Sequence, residues 1–187
     1  IEIKQKMLDW WGMIIHEYYA GTENNGFCKI SPEEWLSHKG SVGKAALGKL
    51  HICDEHGNEL PTGEKGKIYF SDGHEFSYHN DPEKTAESYN EKGWSTIGDI
   101  GKVDEDGYLY LLEREAFVII SGGVNVYPQE AENVLTTHAK VLDVAVFGVP
   151  NEDFGEEVKA VVQPSDMVEA GPGLEKELIE YCRSRLS

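Results

Sequence analysis

Apolar runs separated by turn residues occupy much of the first half of the chain and indicate strands. Two such runs, residues 50–54 (LHICD) and 65–70 (KGKIYF), are joined by turn-rich HGN and LPTGE segments. Paired runs of this kind are typical of a small antiparallel sheet or barrel. Residues 101–112 place Asp106-Gly107 between two extended stretches, and Asp-Gly tolerates the positive φ angles of a tight turn. This segment is therefore predicted to be a hairpin.

The segment DPEKTAESYN, residues 81–90, has the polar signature of a helix start. Asp81 can accept hydrogen bonds from free backbone N–H groups, and Pro82 lacks only an N–H group that would be unpaired there. Glu83 favours the positive end of the helix. We expect a short helix that ends near Gly93.

After Arg114 the pattern changes to alternating strand and helix. Residues 117–123 (FVIISGG) indicate a strand and a glycine turn, and Pro128 opens a helix. One face of that helix carries residues spaced by i, i+3, i+4 and i+7, namely Ala131, Val134, Leu135 and His138. We interpret His138 as a histidine at the edge of the core rather than a ligand.

The last part of the chain continues the alternation. Residues 141–150 and 157–164 are predicted strands, and residues 174–186 form an amphipathic helix with apolar side chains spaced by four, at Leu174, Leu178 and Cys182. The whole is predicted to be an α+β fold, in which a barrel-like antiparallel part is followed by a compact α+β module. The boundary is expected near residues 112–114, dividing the chain into domains of residues 1–112 and 113–187.

Charge and cysteine content narrow the classes of partner and compartment. The 187 residues contain 17 Lys and Arg against 34 Asp and Glu, a formal charge of −17, which disfavours nucleic acid and anionic membrane surfaces. A phosphate-bearing ligand would need a local region of positive potential on this negatively charged protein. Three scattered cysteines suggest neither a disulfide framework nor a zinc site and fit a reducing cytoplasm. No signal peptide or apolar run of about 20 residues is evident, so we expect a soluble cytoplasmic protein.

Residues 18–26 (YYAGTENNG) are the first candidate for chemistry. Gly21 allows close backbone approach, Thr22 offers a hydroxyl to a phosphate, and Glu23 offers a hard oxygen ligand to Mg²⁺. The tyrosines offer a flat face to a base. Taken alone, however, a Gly-Thr-Glu tripeptide is more often a turn than a nucleotide site.

Two further segments carry candidate residues. Asp99, which ends GWSTIGD, could accept hydrogen bonds from both hydroxyls of a ribose, although a turn aspartate is an equally good interpretation. Arg114 precedes an apolar strand and the sequence Ser121-Gly122-Gly123. It could be a surface ion before an ordinary glycine turn, or it could reach a nucleotide bound between two domains.

The joint order of these motifs is more informative than any one of them. Y-x-G-T-E, then G-W-x-T-x-G-D, then E-R followed by I-I-S-G-G-x-N-x-Y-P-x-E resembles the adenylate-forming superfamily of acyl-CoA synthetases, firefly luciferase and peptide-synthetase adenylation domains. The resemblance extends over nearly the whole chain and is strongest to bacterial and archaeal ligases of fatty or related acids. It implies an enzyme that adenylates a carboxylic acid with Mg-ATP and then transfers the acyl group to coenzyme A.

The resemblance also implies roles for individual residues. Tyr19 would lie against adenine, with Gly21 beside it, Thr22 would contact a phosphate, and Glu23 would bind Mg²⁺. Asp99 would hold the ribose hydroxyls, and Arg114 would contact ribose or phosphate. A hinge for domain rotation falls at Glu113, where the family usually has Asp. The turn Ser121-Gly122-Gly123 would line the pantetheine tunnel of the mobile C-terminal domain during thioester formation.

Two elements of the family pattern are expected outside this sequence: a phosphate loop before Ile1 and a catalytic lysine after Ser187. The chain is therefore expected to be a C-terminal fragment that is inactive alone. Its implied partners are a carboxylic acid, ATP and CoA; it has no expected nucleic-acid partner or integral membrane segment, and a homo-oligomer is compatible with the sequence. Two alternatives stay open, an adenylation domain that loads a carrier-protein phosphopantetheine and a non-catalytic nucleotide-binding domain.

Overall fold

The computed structural model describes residues 2–186 and confirms a mixed α+β fold. The chain divides into two compact units, Ile1–Glu115 and Ala116–Ser187. The division lies three residues after the expected boundary at residue 112, since β7 of the first unit continues to Arg114. Each unit has a hydrophobic core of its own.

The strands of unit 1 form two antiparallel sheets. A three-stranded sheet has the order β1-β2-β3, and a four-stranded sheet has the order β4-β5-β6-β7. Their bounds are β1 Glu17–Ala20, β2 Phe27–Ile30, β3 Lys44–Leu47, β4 Lys49–Cys53, β5 Gly66–Ser71, β6 Asp99–Val103 and β7 Leu109–Arg114. Both sheets are open in the described part of the chain, so the barrel-like part takes the form of sheets rather than a closed barrel.

The two pairs of strands predicted from the sequence are present. Strands β4 and β5 pair antiparallel with Leu50 opposite Phe70, and β6 pairs with β7 across the predicted hairpin. The turn of that hairpin differs in detail: Gly107 has a φ of +83°, whereas Asp106 is not in the positive-φ region. The loop is instead closed by Asp104, whose carbonyl accepts from Gly107 and whose N–H donates to Tyr108, both at about the ordinary hydrogen-bond length.

Three helices lie in the described part of unit 1, α1 Glu2–Trp11, α2 Pro32–Ser37 and α3 Pro82–Glu87. The predicted cap of α3 is present, because the Asp81 side chain accepts from the backbone N–H of Lys84. This helix ends at Glu87 and not near Gly93, and Tyr89 then forms an isolated bridge with Ser95.

Unit 2 combines a four-stranded antiparallel sheet with two helices. The sheet order is β10-β11-β8-β9, with β8 Ile119–Ser121, β9 Val124–Val126, β10 Val141–Asn151 and β11 Gly155–Pro164. Helices α4 (Pro128–Leu135) and α5 (Pro172–Arg183) pack on it, and Leu174, Leu178 and Cys182 of α5 contribute to its core as predicted. Helix α4 ends at Leu135, so the prediction that His138 lies on the apolar face of this helix was wrong. The His138 ring packs edge-on against Tyr181.

The three cysteines are free thiols distributed between the two units. Cys28 and Cys53 are buried in unit 1, and Cys182 is partly buried in unit 2. Burial raises the pKa of Cys28 to about 12 and raises that of the other two thiols. Within residues 2–186, no helix combines the length and apolar character needed to cross a membrane.

Candidate functional site

Strands β1, β6 and β7 bring together three of the predicted residues. The Tyr19 hydroxyl donates to Asp99 Oδ2 at 2.6 Å, across 80 residues of sequence. The other carboxylate oxygen of Asp99, Oδ1, lies 3.2 Å from Nε of Arg114, and these two residues are directly opposite each other in the β6–β7 ladder. Asp99 therefore joins a tyrosine and an arginine that come from opposite ends of unit 1.

The surroundings of this group explain its geometry. Only 9% of Tyr19 is exposed, and its ring stacks at 6.5 Å on Phe70. Burial, followed by the hydrogen bond to Asp99, raises the pKa of the Tyr19 hydroxyl, so it is a donor at neutral pH. Tyr19 thus has its hydroxyl engaged and most of its ring covered, whereas the neighbouring Tyr18 is exposed and stacks on Phe27.

The turn after β1 places Thr22 and Glu23 beside this group. Asn24 has a φ of +57° and donates its N–H to the carbonyl of Gly21 at 3.1 Å. A Cβ atom at Gly21 would lie 2.9 Å from Glu23 Oε2 and 2.9 Å from Ile97 Cδ1. A larger residue at this position would therefore displace the ends of the Glu23 and Ile97 side chains, and glycine leaves them room beside the turn.

Both oxygens of the Glu23 carboxylate are hydrogen-bonded. Tyr78 donates its hydroxyl to Oε1 at 2.8 Å, and Thr22 donates to Oε2 at 3.1 Å. Partial burial alone would raise the pKa of Glu23, but these bonds and the positive charge of Arg114 together lower it. Burial raises the pKa of Tyr78, and the hydrogen bond that its hydroxyl donates to Glu23 raises it further. Glu23 is therefore ionised and Tyr78 protonated at neutral pH.

Tyr78 is a site residue that sequence reasoning missed. It lies in the connection between β5 and α3, 55 residues after Glu23. The only local signal is an aromatic residue shortly before the Asp-Pro-Glu helix start. Such a signal predicts no partner, because the contact depends on how the sheets fold.

The donor set suits Mg²⁺ bound together with phosphates. A carboxylate has about four lone-pair positions, and Tyr78 and Thr22 occupy one on each oxygen of Glu23. Among residues 2–186 no group of three or more His, Cys, Asp or Glu side chains could hold a metal. Mg²⁺ commonly uses one or two carboxylates and takes its remaining ligands from substrate phosphates and water. Glu23 therefore fits as a single protein ligand.

The predicted glycine turn belongs to unit 2. Gly122 and Gly123, with φ of +58° and +80°, connect β8 to β9, and the Gly122 N–H donates to the carbonyl of Phe154 at 2.8 Å. A Cβ atom added at Gly123 would have no neighbour within 4 Å. This turn is set by backbone conformation and is open to solvent on the side of Gly123. Glu113, the predicted hinge, lies within β7 opposite Ile100.

A separate polar group in unit 1 has the order of a serine–histidine–acid relay. His51 Nδ1 lies 2.9 Å from Glu59 Oε1, and Nε2 lies 3.0 Å from Ser71 Oγ. The histidine ring stacks flat on Trp94 at 3.7 Å. The carboxylate of Asp72 also lies 3.4 Å from the serine oxygen, and its charge would oppose an oxyanion there. We interpret the group as a hydrogen-bonded part of the sheet rather than a nucleophile.

Comparison with known sequences gives a consistent family. The sequence profile of the AMP-binding enzyme C-terminal domain matches residues 130–187. The chain is 37% identical over 171 residues to long-chain-fatty-acid–CoA ligase FadD13 of Mycobacterium tuberculosis, covering 90% of this chain and 33% of that protein. It is 33% identical over 187 residues to 2-succinylbenzoate–CoA ligase of Bacillus licheniformis, covering 100% of this chain and 37% of the ligase. The chain thus spans about a third of these relatives.

Solved structures agree with this result. O-succinylbenzoate CoA synthetase of Bacillus subtilis in complex with its acyl-adenylate intermediate is similar with a TM-score of 0.82 and 30% identity, over 97% of this chain and 37% of that one. The amide bond synthetase McbA of Marinactinospora thermotolerans is similar with a TM-score of 0.78 and 32% identity, over 94% of this chain and 36% of that one. The motifs, the fold and both comparisons agree, and the chain belongs to the adenylate-forming superfamily of AMP-binding enzymes.

Proposed function

We propose that the protein containing this chain is an ATP-dependent, AMP-forming acid–thiol ligase. It would convert a carboxylic acid, a fatty or related acid, to an acyl-adenylate and then to an acyl-CoA. The observation that carries the proposal is the carboxylate of Asp99, which is held between Tyr19 and Arg114 beside the Glu23 turn. Ligase relatives of known name and the AMP-binding profile support the same activity.

In the proposed site, unit 1 would bind the nucleotide. Asp99 would accept hydrogen bonds from ribose hydroxyls, with Arg114 close enough to contact ribose or phosphate, and Tyr19 would border the adenine. A carboxylate oxygen can accept more than one hydrogen bond, so its bonds to Tyr19 and Arg114 leave acceptor capacity for a ligand. Fixed donors and acceptors of this kind reduce the reorganisation required when substrate binds.

Adenylation requires displacement of pyrophosphate from the α-phosphate of ATP by the substrate carboxylate. Glu23 would hold Mg²⁺, which would neutralise phosphate charge, and Thr22 would donate to a phosphate oxygen. A similar synthetase structure contains ATP and magnesium ion, in agreement with this choice of cofactors. Together with Arg114, these groups would supply the local positive potential that a chain of net charge −17 otherwise lacks.

For the second step, we propose that unit 2 acts as the mobile C-terminal domain and rotates about a hinge at Glu113. Ser121, Gly122 and Gly123 would then line the path of the pantetheine arm, where the missing side chains leave room for a narrow thiol. The thiol would attack the acyl carbonyl, forming the thioester bond as the bond to AMP breaks. The carrier-protein alternative uses the same thiol chemistry on a different acceptor.

The proposal is tested with the full-length protein and acids of graded chain length. We expect acid-dependent ATP–pyrophosphate exchange, followed by acyl-CoA formation when CoA is added. The 187-residue chain assayed alone should show no exchange. Because one similar structure is named an amide bond synthetase, a parallel assay offers amines as acceptors. Activation of an acid without transfer to CoA would reject the CoA ligase, and absence of any nucleotide binding would reject the enzyme.

A further inference from the structure

The connection between β5 and α3 contributes a residue that was not among the predicted site residues. Tyr78 lies in this connection, and its hydroxyl donates to Glu23 Oε1 at 2.8 Å. Thr22 donates to the other oxygen of the same carboxylate. The Glu23 side chain is therefore held at both oxygens before any ligand binds, and one of the two holding groups comes from a distant part of the sequence.

Tyr78 is itself fixed by contacts with its own connection and with α3. Its backbone N–H donates to Thr85 Oγ1 at 2.9 Å. Lys84 Nζ lies 4.3 Å from the centre of its ring, and Phe76 packs edge-on against it at 5.5 Å. The hydroxyl is thus carried by a ring whose position is determined on several sides.

A second tyrosine closes the connection. The Tyr89 hydroxyl accepts from the backbone N–H of Phe76 at 2.7 Å and donates to the carbonyl of the same residue at 2.9 Å. Because Tyr89 follows α3 directly, this pair of bonds ties the connection to the helix. The Asp81 cap fixes the other end of α3. These bonds tie the connection that carries Tyr78 to both ends of α3.

Glu23 gains from such support because its own backbone N–H supplies only one of the hydrogen bonds to its carboxylate. It lies in an exposed turn that follows β1, where Asn24 is in the left-handed region and makes one turn hydrogen bond. A free glutamate side chain would lose rotamer freedom on binding a cation, and this loss weakens binding. A support that fixes the carboxylate in advance removes that cost.

We propose that Tyr78 is a positioning residue for the metal site, which holds the Glu23 carboxylate in the orientation that binds nucleotide-associated Mg²⁺. This inference rests on the proposed function, in which Glu23 is the metal ligand. A tyrosine hydroxyl is suited to the task because it donates a hydrogen bond without adding a positive charge. A lysine or arginine in its place would compete with the cation for the same negative charge.

The test compares Tyr78→Phe, Glu23→Gln and the double variant in the full-length protein. Tyr108→Phe is the matched control, since the Tyr108 hydroxyl also donates to a glutamate, Glu34, at 3.1 Å, but outside this site. Two quantities are measured: the Mg²⁺ concentration that gives half-maximal pyrophosphate exchange, and the affinity for Mn²⁺ with a non-hydrolysable ATP analogue, by electron paramagnetic resonance. Thermal melts verify that each variant is folded.

We expect Tyr78→Phe to weaken Mn²⁺ binding and to raise the half-maximal Mg²⁺ concentration about tenfold or more, the order expected for loss of a hydrogen bond to a charged group. Exchange at saturating Mg²⁺ should change less than twofold. In the Glu23→Gln background, the same substitution should add little, because the carboxylate it positions is gone. Tyr108→Phe should leave both quantities unchanged.

The other outcomes separate the two proposals. If Glu23→Gln weakens metal binding and Tyr78→Phe does not, the positioning role is wrong and the proposed metal ligand stands. If Tyr78→Phe has the same effect with and without Glu23, it acts by another route and the inference is also wrong. If Glu23→Gln changes neither quantity, the assignment of Glu23 as metal ligand fails, and the inference fails with it.

Discussion

The carboxylate cluster of unit 1 and the glycine turn of unit 2 are candidate ligand sites of opposite construction. The carboxylate cluster consists of two bonded groups: Asp99 joins Tyr19 and Arg114, and Glu23 accepts a hydrogen bond from Tyr78. In the glycine turn, residues 121–123, backbone conformation determines the shape, and a Cβ atom at Gly123 would meet nothing within 4 Å.

The difference indicates what each site can provide. Bonded side chains offer fixed charges and hydrogen-bond groups, which suit a ribose, a phosphate and a metal ion. A bare turn offers open space and backbone groups, which suit a narrow chain passing by. The first site depends on how both sheets of unit 1 fold together, whereas the second depends on the backbone conformation of Gly122 and Gly123.

The largest expected effects come from the cores. Leu109 in unit 1 and Leu178 in unit 2 are both buried, and replacing either with Ala should cost about 2–5 kcal/mol of unfolding free energy. Leu109→Ala should also weaken nucleotide binding, because β7 carries Arg114. Leu178→Ala should leave the φ angles of the glycine turn unchanged.

These core variants can be followed separately. In the 187-residue chain all four tryptophans lie before residue 116, so their fluorescence during urea unfolding of this chain reports unit 1, and hydrogen exchange of α5 amides reports unit 2. Normal nucleotide affinity in folded Leu109→Ala, measured in the full-length protein, would show that the carboxylate cluster does not depend on the packing of β7.

Asp99→Ala should have the next largest effect. It leaves the buried Tyr19 hydroxyl without its acceptor, at a cost of about 1–3 kcal/mol in stability. It should also lower ATP affinity at least tenfold through loss of ribose hydrogen bonds. Asp99→Asn is the matched control, because its amide oxygen can still accept from Tyr19, so stability should recover more than affinity. An unchanged affinity for ATP in folded Asp99→Ala would mean that Asp99 has only a structural role.

At the glycine turn, Gly123→Leu should separate the two half-reactions. A bulky side chain there should obstruct the pantetheine arm and lower acyl-CoA formation about tenfold, or roughly 1.4 kcal/mol of transition-state stabilisation. Pyrophosphate exchange should be largely retained. Gly123→Asn is the control, since asparagine tolerates positive φ with a small side chain. Equal losses in both assays would show that the glycines serve folding, and loss of exchange alone would assign the turn to the ATP step.

The smallest expected effect concerns pH. Partial burial raises the pKa of Asp104, but hydrogen bonds from the Tyr108 N–H, the Tyr110 hydroxyl and His38 outweigh it and lower the pKa overall. The folded state therefore binds this proton less readily than the unfolded state. Its contribution to stability is complete above the ordinary aspartate pKa, about 3.9, and is lost as pH falls through the lower folded value.

Tryptophan-detected melts between pH 3 and about 6 measure this contribution. Asp104→Asn should flatten the acid part of the stability curve of unit 1. Glu177→Gln in unit 2 is the control, because Glu177 pairs with Lys140 on the surface, and should leave that curve unchanged. Identical curves for wild type and Asp104→Asn would show that this polar group does not contribute to the stability of unit 1.

Local sequence signals predicted those parts of the fold that depend on neighbouring residues. The β4–β5 and β6–β7 pairs, the Asp81 cap and the apolar face of α5 follow from short-range patterns. Helix α2 also had a signal, a capping box between Ser31 and Glu34 that sequence reasoning overlooked. The end of α3 was placed too late because Tyr89 pairs with Ser95, which is itself bridged to Phe70 of β5.

The candidate site was predicted less completely for the same physical reason. Its residue types could be listed from the motifs, but hydrogen bonds such as Tyr19 to Asp99 and Tyr78 to Glu23 join residues 80 and 55 positions apart. Pairings of that range are determined by sheet order and register. No pattern within one segment contains them, so Tyr78 could be found only in the folded structure.

The buried free thiols of unit 1 allow the rate at which this unit opens to be measured by chemical labelling. Alkylating reagents attack the thiolate, and Cys28 and Cys53 are both buried and held in the thiol form at neutral pH. Their labelling therefore has to wait until unit 1 opens, whereas the partly buried Cys182 provides a reference in the same sample that does not require this opening. Mass spectrometry of the labelled peptides at successive times would give the opening rate of unit 1. A ligand that binds only the carboxylate cluster should slow the labelling of Cys28 and Cys53, and a ligand of higher affinity should slow it more.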